Sequence, residues 1–170
     1  VYVLIARTNP LLAFYHDGYL RVAMEPYDIK NLNNRFAHIT NISVQKEHPG
    51  FFHQREHKIL SFDQLRGYLQ EKQPIHDSPR DLVEEVIKPQ IKGALRSALM
   101  AAEGKLDERR GQFSLLGADM LITQGSGIED FGVSLLEFNK NPDLELHNKE
   151  LSRILPPLIR ETLDIVLEVE

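Results

Sequence analysis

The sequence predicts a mixed α/β chain of the α+β kind. Three observations carry that reading: strand-like segments open the chain as a meander, helical patterns fill its middle and its end, and a long apolar hairpin lies between them. Val1 to Arg7 and Leu11 to His16 read as strands joined through Asn9-Pro10, and His16-Asp17-Gly18 turns into a third strand, Tyr19 to Met24. Pro26 and the polar run Lys30 to Arg35 end the meander, and a short segment, Ala37 to Asn41, follows. Gln45 to Lys58 is polar and rich in histidine and reads as a long loop. Ser61 is placed to cap a helix reaching about Glu71. Ser78-Pro79-Arg80-Asp81 is an N-cap signature for a helical pattern that extends to Lys105, with Pro89 expected to kink or split it. The chain closes on an amphipathic helix, Asn148 to Glu170, expected to break near Pro156-Pro157.

The chain has 170 residues, enough to bury one core, and its composition is that of an ordinary globular domain. Its opening, Val1 to Ala6, reads as a strand cut from the middle of a sheet, so residues 1–170 are taken as one domain that continues upstream. Net charge is −5 and the basic residues are scattered, which argues against nucleic acid and anionic membrane as partners. With no cysteine there is no disulfide and no thiolate zinc site, which fits a reducing compartment. No apolar run reaches membrane-spanning length and no signal-peptide pattern is seen.

The hairpin, Phe113 to Asp143, carries the chemistry. Centred near Ile128, it places Asp119 opposite Glu137, and strand alternation puts Asn139 on the face of Glu137. Two carboxylates facing each other repel by roughly 0.2–1 kcal/mol, so folding alone gives no reason for the pair. A divalent cation does, and Mg²⁺ takes one or two carboxylates from a protein and leaves its other positions to water and phosphates. The competing reading is a solvated acidic hairpin. Leu115, Leu116, Leu121, Ile122, Val133, Leu135, Leu136 and Phe138 make both strands apolar on both faces, which implies partly enclosed carboxylates. A bulge near Gly125 or Gly127 would instead send Asp119 to the other face.

Other residues are less specific. Arg21 sits among apolar neighbours and reads equally as a buried cation that needs an anion or as an outward cross-strand arginine. His38, His48, His53, His57, His76 and His147 lack a third ligand at a familiar spacing and read as solvated loop residues. Gly125-Ser126-Gly127 reads as a turn rather than a phosphate cradle.

Four segments taken in order, YHDGYLRVAMEPY (Tyr15 to Tyr27), HITNISVQK (His38 to Lys46), FSLLGADMLI (Phe113 to Ile122) and LLEFNKNPDL (Leu135 to Leu144), resemble the tubulin–tyrosine ligase family. The resemblance covers Val1 to about Leu144 and implies the C-terminal portion of an ATP-grasp fold, a largely antiparallel sheet flanked by helices. It implies ATP and Mg²⁺ as cofactors, with Asp119, Glu137 and Asn139 as metal ligands, Arg21 at the reacting centre, and His38, Thr40 and Asn41 against the nucleotide. The role of Lys46 stays open. The implied chemistry is ATP-dependent ligation of tyrosine, glutamate or glycine to a protein carboxylate on a tubulin tail, through an acyl phosphate that the incoming amine attacks. Arg21 and Glu137 are its catalytic residues, the partners are tubulin and a free amino acid, and the expected place is the cytoplasm and its microtubules. No protein nucleophile is needed. The family's Lys-Phe-Asp-x-Arg segment would fall before Val1, Glu137-Phe138-Asn139 replaces the usual Glu-Val-Asn, and Lys140 to Asp143 departs from the small residues common there, so the donor stays open. A non-catalytic, partner-binding member and an ATP-grasp ligase with another acceptor are the alternatives.

Overall fold

The computed structural model describes residues 1–73, 80–106, 111–127, 129–146 and 148–168. Its first strand, β1 (Tyr2–Thr8), pairs antiparallel with β2 (Leu11–His16) across a turn containing a cis Asn9–Pro10 peptide bond. Tyr2, Val3, Leu4 and Ile5 are all buried, because β1 is an inner strand covered on both faces; that is why its apolar run does not alternate.

The expected third strand of the meander does not form. Tyr15 Oη donates to Asp17 at 2.6 Å, and Lys88 Nζ reaches the same carboxylate at 2.6 Å, pinning the corner after β2. At Gly18 the chain passes so near Val1 that an added Cβ would lie 2.8 Å from the Val1 Cα. The chain therefore leaves the sheet, and β3 (Leu20–Arg21) pairs with β4 (Ile59–Leu60), a connection extended by Val22 N–H donating to the Lys58 carbonyl at 2.9 Å.

The histidine-rich stretch is not a loop either. Three short helices, α1 (Arg35–His38), α2 (Ile42–Gln45) and α3 (Phe51–Gln54), are followed by a 3₁₀ turn over Arg55–His57. Side-chain caps start the first two: Asn34 accepts from Phe36 N–H at 3.2 Å and Asn41 from Ser43 N–H at 2.9 Å. Each is barely one turn long, too short for a 3.6-residue period to show in the sequence.

Helix α4 (Phe62–Lys72) begins as expected at Ser61, in a reciprocal capping box with Gln64. Loss of such a cap costs about 1 kcal/mol, within a range of roughly 0.5–2. Ser61→Ala should therefore lower the urea midpoint without changing the slope of the unfolding transition. The cap expected at Ser78-Pro79 lies outside the described residues. The pattern after it divides where proline interrupts the ladder: a π-helical stretch, Val83–Ile87, gives way to α5 (Lys88–Ala102), with Pro89 in its first turn.

Strands β5 (Ser114–Gln124) and β6 (Phe131–Asn139) complete an antiparallel sheet of order β2-β1-β5-β6. Gln90 of α5 donates to the Phe131 carbonyl at 2.7 Å and accepts from Val133 N–H at 3.2 Å, standing in for a neighbouring strand at the outer edge of β6. On one face, Val3 and Ala118 pack against Phe62, Leu69, Leu82, Val83, Ile87, Ile91 and Leu95. On the other, Tyr2 packs against α6 (Lys149–Glu168) through Leu151, Ile154, Leu155 and Leu158, with Ile59 beside them. The spacing of those four is that of a single helical stripe.

Pro156 and Pro157 do not break α6. Both are exposed, and the carbonyls that lose their partners belong to exposed Ser152 and Arg153, where water can replace the missing bonds while the buried stripe keeps the helix docked. Among the described residues no helix is long and apolar enough to cross a membrane. The result is a mixed α/β unit with a mainly antiparallel sheet flanked by helices, as the ATP-grasp resemblance implies.

Candidate functional site

Asp119 and Glu137 are paired residues on β5 and β6, and Asn139 pairs with Gly117 one step along the same face. A bulge makes this possible. From Gln124↔Phe131 to Met120↔Leu135 the hairpin follows a register that would set Leu136 opposite Asp119 and turn Glu137 into the core. The irregularity between Asp119 and Met120 takes up Leu136, which is 61% exposed, and brings Glu137 opposite Asp119. Phe138, paired with Ala118, points to the opposite face and joins the α4–α5 core. The bulge lies at Leu136 rather than near Gly125 or Gly127. At that turn Gly125 N–H donates to the Asp130 carbonyl at 2.7 Å, and the Asp130 carboxylate fills the space where a Gly125 Cβ would stand. The expected centre, residue 128, lies outside the described residues.

Arg21 Nη2 donates to Asp119 Oδ2 at 2.9 Å, so β3 delivers a guanidinium to the carboxylate pair. With side-chain exposures of 28% and 36%, this ion pair contributes only about 0–1 kcal/mol to stability. Of the two readings open for Arg21, the anion partner is the one observed. Asn139 Nδ2 donates to Glu137 Oε1 at 3.3 Å and leaves its own carbonyl oxygen on the same face. The enclosure expected of the carboxylates is partial at Asp119 and absent at Glu137, which is exposed because β6 is an edge strand.

Thr40 borders a cleft next to Arg21, together with Arg55, Lys58, Ile59 and Asn148. Asn41 is exposed and its side-chain oxygen accepts from both Ser43 N–H and Ser43 Oγ, at 2.9 and 2.8 Å, so it shapes the start of α2. His38 is turned elsewhere: its Nε2 lies 3.0 Å from the Asn31 carbonyl and its ring meets Tyr27 edge-on, 5.2 Å between centroids. Lys46, at the end of α2, is exposed.

His53 and His57 are exposed, as expected, whereas His48 is half-buried and structural. Its Nε2 lies 2.9 Å from Glu25 and its ring packs edge-on against Phe36. His76 and His147 are outside the described residues. Among the described residues no three His, Cys, Asp or Glu side chains are grouped to hold a metal ion. Any cation at this site would depend on two carboxylates and the Asn139 carboxamide, an all-oxygen set suited to Mg²⁺ rather than to zinc.

Sequence reasoning missed Gln45. It is 1% exposed; its oxygen accepts from Met24 N–H at 2.7 Å, and its amide donates to the Phe36 carbonyl at 3.3 Å and to the Ile39 carbonyl. One side chain thus ties the continuation of β3 to the segment that carries His38 and Thr40. Its only sequence signal is its place inside the HITNISVQK motif. Arg55, Lys58 and Asn148 carried no sequence signal.

A family model described as the Tubulin-tyrosine ligase family matches residues 1–170. The chain belongs to the tubulin–tyrosine ligase family. Among its curated relatives, the Inactive polyglycylase TTLL10 of Homo sapiens is 33% identical over 168 residues, 98% of this chain and 24% of that protein. The Protein polyglycylase TTLL10 of Macaca fascicularis is 32% identical over 168 residues, 98% of this chain and 26% of that protein. The Tubulin monoglycylase TTLL3 of Mus musculus is 30% identical over 172 residues, 97% and 17%. This family member thus spans about a quarter or less of the length of these relatives.

Proposed function

We propose that the protein carrying this chain is an ATP- and Mg²⁺-dependent ligase that joins an amino acid to a carboxylate of a protein acceptor, on a tubulin tail, with glycine as the donor. The observation that carries the reading is the meeting of Arg21 with Asp119 opposite Glu137 and beside Asn139. The relatives' printed names, polyglycylase and tubulin monoglycylase, support glycine over tyrosine or glutamate.

Asp119, Glu137 and Asn139 would hold the Mg²⁺, and the donor set fits because it is hard, anionic and on one face. The bound cation would supply charge neutralisation at phosphate oxygens. The acceptor carboxylate oxygen takes the γ-phosphoryl group, ADP leaves, and the donor amine then displaces phosphate from the acyl carbon and gives up a proton. Arg21 offers five N–H donors in a fixed fork, of which one goes to Asp119, so the rest can face the transferred group. Thr40 adds a hydroxyl at the same cleft, and Asn41, through its cap on α2, fixes where Thr40 stands. No serine, cysteine or histidine nucleophile is required.

The test is ATP-dependent incorporation of labelled glycine, glutamate or tyrosine into tubulin by the full-length protein. Glycine should be incorporated in preference to the other two, and chelation of divalent cations should abolish it. Preference for another donor would overturn the glycine assignment. A second reading, a member that binds its partner without catalysis, is favoured by one fact: the human relative's printed name calls it inactive. Lack of incorporation into tubulin with every donor would overturn the first reading in favour of this one or of a ligase with another acceptor.

A further inference from the structure

Arg21 borders two places at once. Its Nη2 holds Asp119, and the residue also lines a cleft of ≈ 100 Å³ between β3, β4, α2 and the start of α6. Pockets that take drug-sized ligands run to about 300–1,000 Å³, so this one cannot enclose a nucleotide and suits a group of a few heavy atoms. Its lining carries three cations, Arg21, Arg55 and Lys58, and no carboxylate among the described residues. The walls between the cations are apolar: Val22, Ile42, Phe51 and Ile59.

Arg21 is paired with Asp119, but the other two cations have no ionic partner among the described residues. Lys58 Nζ donates to the Ala23 carbonyl at 3.0 Å, which fixes the ammonium in place without neutralising it and leaves two of its three donors. The Arg55 side chain has no hydrogen-bond or ion-pair partner among the described residues. The nearby carboxylate in sequence, Glu56, accepts from Asn148 Nδ2 at 3.2 Å and does not line the cleft. Like charges converging on an apolar concavity repel, gain nothing for folding and concentrate field on whatever anion enters.

We propose that this cleft is a carboxylate-binding subsite, in which Arg55 and Lys58 hold a small carboxylate beside Arg21. The assignment rests on the ligase reading for its setting. Two carboxylates belong to that reaction: the α-carboxylate of the free amino-acid donor, and a carboxylate of the acidic acceptor segment. Either would be drawn toward Arg21, which also holds Asp119 at the proposed reacting centre. Apolar walls at Ile42 and Ile59 strengthen the charged contacts by excluding water.

The experiment reads binding directly, so it stands whether or not ligation is observed. Isotope-labelled full-length protein is titrated with glycine, with N-acetylglutamate amide as the acceptor probe, with glycinamide as the control lacking a carboxylate, and with inorganic phosphate. Saturable shifts are expected at the backbone amides of residues 55–59 and at the Arg21 and Arg55 side chains. Glycine as the ligand assigns the cleft to the donor, and N-acetylglutamate amide to the acceptor. Charge-assisted hydrogen bonds are worth on the order of tenfold to a hundredfold in affinity. The Arg55→Gln, Lys58→Gln double variant should weaken binding at least about tenfold on that scale, and Arg55→Glu, at an exposed position where folding is insensitive, should do so alone. An equal response to glycinamide, a response to phosphate alone, or affinity unchanged in both variants would overturn the proposal.

Discussion

Glu137→Gln should abolish ligation by the full-length protein while leaving its fold and thermal stability unchanged. The side chain is exposed on an edge strand and takes no part in either core, so its replacement belongs with surface changes that move stability by no more than about 0.5 kcal/mol. Glutamine has the same shape and keeps an oxygen to accept from Asn139. What it removes is one of the two negative charges set opposite each other at the bulge. In the absence of a bound cation, that removal also relieves the repulsion with Asp119, so melting should hold or rise slightly. Loss of a comparable preorganised electrostatic contact costs on the order of 10²–10³ in turnover. Labelled-glycine incorporation and thermal melting, run side by side, provide the check. Undiminished incorporation would remove Glu137 from the site, and a large loss of stability would show that its role is structural.

Leu151→Ala should be among the most destabilising single substitutions in the chain. Leu151 has no exposed surface and is the first residue of the stripe by which α6 grips Tyr2 of β1 and Ile59 of β4. Truncating a buried leucine removes its transfer free energy and leaves a cavity, together about 2–5 kcal/mol. The site feels the same change, because Ile59 and Asn148 both line the cleft beside Arg21 and both depend on α6 for their position. Urea titration should show the midpoint fall by that amount. Leu151→Met, which conserves volume, should cost less than about 1.5 kcal/mol. Equal losses for the two variants would mean that packing at Leu151 is not what holds the helix.

The parts of this structure that were legible in the sequence are those governed by long periods or by fixed local chemistry. The amphipathic character of the last helix, the cap at Ser61 and the pairing of Asp119 with Glu137 all belong to that class, whereas the break expected at Pro156-Pro157 falls inside the buried stripe and does not occur. A regular hairpin predicts that pairing, whereas the structure reaches it through a one-residue offset that Leu136 absorbs. The apolar doublet Leu135-Leu136 was the available sign, since a regular strand with one open face would not repeat leucine there. Strand β3 is shorter than the sequence predicts because Tyr19 to Met24 suits a strand by composition, while a passage tight against Val1 at Gly18 is a tertiary fact. The short helices leave no periodic trace, and nothing local announces the His48 or Gln45 side chain as buried. His38 lies beside Thr40 in the sequence yet points at Asn31, since successive residues at a helix end face different ways.

Gln45 also governs how this region comes apart. Its three hydrogen bonds span Met24, Phe36 and Ile39, points far apart along the chain, and all three are lost together if the side chain leaves its place. The stretch from Met24 to Gln45 cannot then fray one turn at a time, as an ordinary surface connection does. It opens as a single cooperative unit or not at all, and the amide of Met24 should share one slow exchange rate with the amides of α2. Arg21, just ahead of that unit, and Thr40, within it, hold their spacing until the whole unit gives way.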